Sequence, residues 1–148
     1  MNNNIRNILA VLVGLAIGSY INMYLVMKGP VPEGFDINRI VEFIPLFEAK
    51  HFVMPIVGHA VGTLVGAIIA GLIAATHKFR FALVIGVFFF VGGIANAIML
   101  HFPILPAAID LALAYFPMAI IGGYIGGFLS KKINLDLNQD YYDDSSIK

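Results

Sequence analysis

Residues 52–75 read FVMPIVGHAVGTLVGAIIAGLIAA. The stretch holds no Asp, Glu, Lys or Arg over a length that carries a helix across ~30 Å of hydrocarbon. Gly58, Gly62, Gly66, Ala70 and Ala74 recur every fourth residue within it. That spacing puts small side chains on one helix face, the pattern by which membrane helices bring their backbones close together. Two features follow from this one segment: a transmembrane span and a close-packed face.

Three further apolar segments resemble it in length, over residues 8–27, 81–100 and 107–129. Residues 76–80 form a short polar bridge, and residues 101–106 a proline-containing turn. Connections this short force antiparallel neighbours. The expected fold is all-α: an integral membrane, four-transmembrane-helix up-down bundle, with residues 1–132 as a single transmembrane domain.

Composition agrees. The chain has 148 residues, 59% hydrophobic and 12% charged, with a mean hydropathy of +0.88. Soluble domains are about half apolar and a quarter charged. Net charge is zero and cysteine is absent, which removes disulfide and thiolate chemistry. No basic stripe marks a nucleic-acid surface. The expected partners are membrane lipid and either a second copy of the chain or another membrane protein.

Orientation follows Lys and Arg, which are retained in cytoplasmic loops. With the N-terminus inside, Arg6, Lys78, Arg80, Lys131, Lys132 and Lys148 lie on the cytoplasmic side and Lys28, Arg39 and Lys50 outside. This predicts a multi-pass inner (plasma) membrane protein with both termini cytoplasmic. In the first outer loop Asp36 reads as an N-cap. Ile37, Ile40, Val41 and Ile44 follow at i, i+3, i+4 and i+7. The spacing predicts a short amphipathic helix, bent at Pro45 and lying on the membrane surface or capping the bundle. Residues 133–148, with Asp136, Asp140, Asp143 and Asp144, are expected to form a disordered acidic cytoplasmic tail.

Seven glycines are expected to mediate packing: Gly14, Gly18, Gly58, Gly62, Gly66, Gly122 and Gly126. A weak internal echo pairs Gly18 and Asn22 with Gly92 and Asn96 at the same spacing. Polar residues inside spans are costly and therefore functional suspects. The candidates are Asn22, His59, Thr63, Asn96 and Asp110, nearly all in the outer half. Helical phase lets Asn22, His59 and Asn96 converge, with Asp110 turned away from the glycines of its span. Structural roles are available to each. Asparagines can join helices, Thr63 can bond back to its own helix, and Asp110 can sit near a helix N-terminus.

No P-loop, nucleophile elbow, dinucleotide fingerprint or HExxH occurs in the sequence. His51 and His59 lie about 12 Å apart along a helix, too far to share an ion. No cofactor is expected, and whether a metal binds is left open. The reading that best fits is a non-catalytic accessory or assembly subunit. The alternatives are a small-solute or ion permeation protein with a polar site in the outer half of the bilayer, and a membrane enzyme or metal- or haem-binding redox protein.

Overall fold

The computed structural model describes residues 2–145, with side-chain surroundings for residues 2–134. Four helical spans are long and apolar enough to cross a membrane. They are α1 (Asn3–Val26), α3 (Ala49–Ile73), α4 (Lys78–Met99) and a broken fourth span of α5 (Ile104–Leu113) and α6 (Phe116–Ser145). A four-residue helix, α2 (Ile40–Phe43), lies in the connection between α1 and α3. We call the end bearing that connection the loop end, and the other the terminal end.

The bundle has a hub. In its most apolar window α3 is 39% buried, against 17% for α1 and 22% for the third and fourth spans. The other three spans all pack on α3, whereas α1 and α6 do not approach each other among the described residues. Glycine explains why. A Cβ placed on Gly14 would lie 2.6 Å from the Gly66 carbonyl oxygen, and one on Gly66 would lie 2.7 Å from that of Gly14. Gly18 and Gly62 repeat this reciprocal arrangement at 2.7 Å each way, and Gly58 faces the Asn22 carbonyl at 3.0 Å. The paired numbers sum to a constant, as they must for an antiparallel crossing. On the opposite side Gly122 meets Leu64 at 2.6 Å and Gly126 meets the Ile68 carbonyl. These numbers rise together, so α3 and α6 run parallel. Backbones this close gain dispersion contacts and weak Cα–H···O bonds of about 0.5–1 kcal/mol each.

The fourth span breaks where Pro117 has no N–H to offer the Leu113 carbonyl. The chain bends at Ala114 and Tyr115, and helical bonding resumes with the Ala119 N–H on the Tyr115 carbonyl at 2.8 Å.

A polar clamp holds the turn after α3 at the terminal end. Asn7 is buried. Its Oδ1 accepts from the Ala75 N–H at 2.8 Å and the Thr76 N–H at 3.3 Å, while its Nδ2 donates to Thr76 Oγ1 at 2.9 Å. Arg6 Nε donates to the Ile73 carbonyl at 2.6 Å, and Lys78 Nζ donates to the Ala74 carbonyl. Cations on the last carbonyls of a helix also complement its dipole.

At the loop end the expected amphipathic helix is three short turns. Asp36 accepts the Asn38 N–H at 2.9 Å, and 3₁₀ turns at Ile37–Arg39 and Ile44–Leu46 flank α2. Of the apolar stripe only Ile44 is buried, while Ile37 and Val41 stay exposed. Aromatic edges do the anchoring instead. Phe35 meets Phe43 and Phe47, Phe47 meets Phe52, and Phe52 meets Phe102, with centroids 5.4–5.9 Å apart.

The backbone of the C-terminal region differs from the irregular tail expected from Ile133: α6 continues as helix to Ser145. No Gly or Pro follows Gly127 to stop it. Residues 146–148, the end of that expected tail, lie outside the described residues.

The glycine contacts predict a contrast. Gly66→Ala should lower thermal stability in detergent by about 1–3 kcal/mol, because the added methyl meets backbone. Gly127 has nothing within 4 Å of an added Cβ. There, Gly127→Ala should be neutral or stabilising by up to about 1 kcal/mol.

Candidate functional site

Three side chains meet inside the bundle: His59 from α3, Asp110 from the last turn of α5, and Tyr115 from the break. His59 Nδ1 lies 2.9 Å from both carboxylate oxygens of Asp110. The Tyr115 hydroxyl donates to Asp110 Oδ2 at 2.7 Å and lies 3.1 Å from His59 Nδ1. The two rings stack at 5.8 Å with 28° between their planes. Tyr115 is 1% exposed, and the His59 and Asp110 side chains are 13% and 10% exposed.

Local structure explains the meeting. His59 follows Ala49 by ten residues, roughly 15 Å along α3 at 1.5 Å per residue. Its backbone is fixed by the hub contacts of Gly58 and Gly62 on either side. The Thr63 hydroxyl donates to the His59 carbonyl at 2.7 Å, so Thr63 bonds within its own helix and stays out of the cluster. Asp110 sits two turns into α5, deeper than a span starting at residue 107 would put it. The break then turns Tyr115 back over it. On α4, Gly93 leaves room for the phenol, since a Cβ there would collide with the Tyr115 hydroxyl. Phe90 closes the remaining side edge-on, 6.0 Å from the Tyr115 ring.

The expected convergence of Asn22, His59 and Asn96 is not formed. Asn22 lies in the α1–α3 seam against Gly58 and Gly62, its buried Oδ1 without a hydrogen-bond partner among the described residues. Asn96 is exposed on α4, as is Gly92, beside which an added Cβ would meet nothing within 4 Å. The phase argument put Gly92 and Asn96 on one face correctly. That face is the outward one, because Ala82, Ile85, Gly86 and Gly93 form the buried stripe of α4. The same fact separates the internal echo, since Gly18 is packed and Gly92 is open.

Asp110, expected to turn away from the glycines of its span, instead faces α3, the helix that Gly122 and Gly126 also pack against. The acid finds His59 because the break decouples the phase of α5 from that of α6. Tyr115 was missed. The available signal was a phenol in an apolar run, which needs a hydrogen-bond partner when buried, five residues from the one carboxylate in the spans and two before a proline.

The arrangement is a histidine–carboxylate–phenol hydrogen-bond cluster. Both Asp110 oxygens lie within hydrogen-bond distance of His59 Nδ1, and Oδ2 also accepts from the Tyr115 hydroxyl. His59 Nε2 has no hydrogen-bond partner among the described residues. Among the described residues no three His, Cys, Asp or Glu side chains gather as a metal-ligand set.

Because the three groups share their hydrogen bonds, their losses should not add. Tyr115→Phe and Asp110→Asn should each destabilise the protein. Their double variant should show a coupling of about 0.5–3 kcal/mol in detergent unfolding. Additivity within the error of the measurement would refute the shared geometry.

Comparison with protein-family models, with curated proteins and with solved structures finds no match.

Proposed function

We propose that this chain is a small-solute or ion permeation protein of the inner membrane coupled to protons, with His59, Asp110 and Tyr115 as its proton-binding site. The observation that carries this reading is the ionisable pair of His59 and Asp110 inside an apolar bundle, beside a break in the fourth span. A charge pair in hydrocarbon costs several kcal/mol of desolvation, and ionisable residues within spans mark proton and ion pathways. Discontinuous helices are the usual place for such sites in transporters. The Lys and Arg distribution supports cytoplasmic termini, which puts the loop end outside. The proton enters and leaves at Nε2, Asp110 compensates the imidazolium, and Tyr115 holds the carboxylate in place.

A second reading, an accessory or assembly subunit, is favoured by the outward face of α4. There Gly92 and Asn96 lie among exposed Phe88, Val91 and Ile98. An amide and a small residue on an open membrane face suit a partner helix.

A rapid pH jump on proteoliposomes adsorbed to a solid-supported membrane separates the two. The native protein should give a transient charge movement that Asp110→Asn and His59→Gln reduce by about tenfold or more. Matching traces from native protein, Asp110→Asn and empty liposomes would sink the proton-coupled reading. Asn96→Cys in this cysteine-free chain would then report on the second, by disulfide cross-linking in native membranes.

A further inference from the structure

We infer that the seam between α1 and α6 at the terminal end binds the phosphate of an anionic phospholipid through Arg6. This site is separate from the His59 cluster and does not rest on the proposed function.

The two helices flank α3 with no close backbone approach between them among the described residues, leaving a groove floored by α3. At the terminal end the groove deepens into a cavity of about 250 Å³ lined by Arg6, Leu72, Ile73, Ser130, Ile133 and Asn134. One wall is cationic and the floor is apolar. Arg6 is held by its Nε on the Ile73 carbonyl at 2.6 Å. Both Nη atoms then remain without hydrogen bonds among the described residues. A guanidinium fixed at Nε presents its two terminal nitrogens as a fork, the geometry that takes two phosphate oxygens at once. Across the cavity, Ser130 and Asn134 on α6 supply a hydroxyl and an amide.

Charge complementarity names the occupant. Within residues 2–134, the terminal end carries Arg6, Lys78, Arg80, Lys131 and Lys132 and no acidic residue; the acids of α6 begin at Asp136. Basic pockets between spans at the membrane surface take anionic headgroups. The apolar floor of Leu72 and Ile73, open along the bilayer, suits the glycerol and first methylenes of a lipid and gives nothing to a free ion. An anionic phospholipid fits both halves of the site.

The test uses the full chain in a zwitterionic detergent, titrated with phosphatidylglycerol, with phosphatidylcholine, or with inorganic phosphate. Native mass spectrometry counts retained lipid, and thermal unfolding reads stabilisation. Phosphatidylglycerol should be retained about fivefold over phosphatidylcholine, the factor expected for one basic contact at the surface. Arg6→Gln should remove the preference. Because Arg6 also caps α3, Asn134→Glu and Asn134→Lys serve as a second pair at an exposed wall position. The acid should abolish the preference and the base should raise it, with folding intact in both. Equal retention of the two lipids, or a preference unchanged in Arg6→Gln and Asn134→Glu, overturns the proposal. So does stabilisation by inorganic phosphate equal to that by phosphatidylglycerol, which would make the ligand a free anion.

Discussion

Lipid tails are as apolar as any leucine, so a helix in hydrocarbon gains nothing by exchanging a lipid neighbour for a helical one unless the two backbones come very close. In this protein that closeness is reached along α3. Gly58, Gly62 and Gly66 accept α1 on one side, and Gly122 and Gly126 of α6 press on the other. A side chain at these positions would meet a carbonyl group, not a flexible side chain that can move aside. The rest of the structure is hung on this axis. The clamp of Asn7, Arg6 and Lys78 fixes one end of α3, the aromatic series from Phe35 to Phe102 closes over the other, and His59 is carried between them.

The polar cluster depends on the same axis in a less direct way. His59 lies about 60° around α3 from Gly62, at the edge of the face given to α1, and from there it reaches Asp110 and Tyr115 of the fourth span. Its partners come from a span that is not one continuous helix. Proline at 117 removes one hydrogen bond and lets ten residues of α5 turn independently of α6. An unbroken helix would place Asp110 and Tyr115, five residues apart, about 140° apart around its axis. The bend brings both to the same imidazole. The break therefore assembles the cluster, and Gly93 on α4 provides the space that the phenol occupies.

Much of this was legible in the residues. Four spans, their approximate limits and the small-residue spacing could be read directly, because length and period are local properties of the chain. The pairing of glycines across helices is not local, although the spacing narrowed it to a few faces. Phase arguments handled α3 well and placed Gly92 and Asn96 on a common face. They had no means of telling an inward face from an outward one on a helix as uniformly apolar as α4. Asp110 shows the other limit. Its phase was computed for a straight fourth span, and a proline-induced bend invalidates that arithmetic for every residue beyond it. In the sequence Arg6 is a topology marker and Asn7 carries no signal, whereas the two tie the turn between α3 and α4. Nothing short of knowing that α1 and α3 lie antiparallel would have brought residues 7 and 76 together.

The hub arrangement also sets an order of biogenesis. Domains and segments mature from the N-terminus during synthesis. As the ribosome delivers the chain, α1 and α3 can zip into a finished hairpin before the remaining spans emerge. The opposite face of α3 must then wait, with its small side chains against lipid, until the last span is released from the insertion machinery. His59 waits with it, deprived of its acid until Asp110 follows.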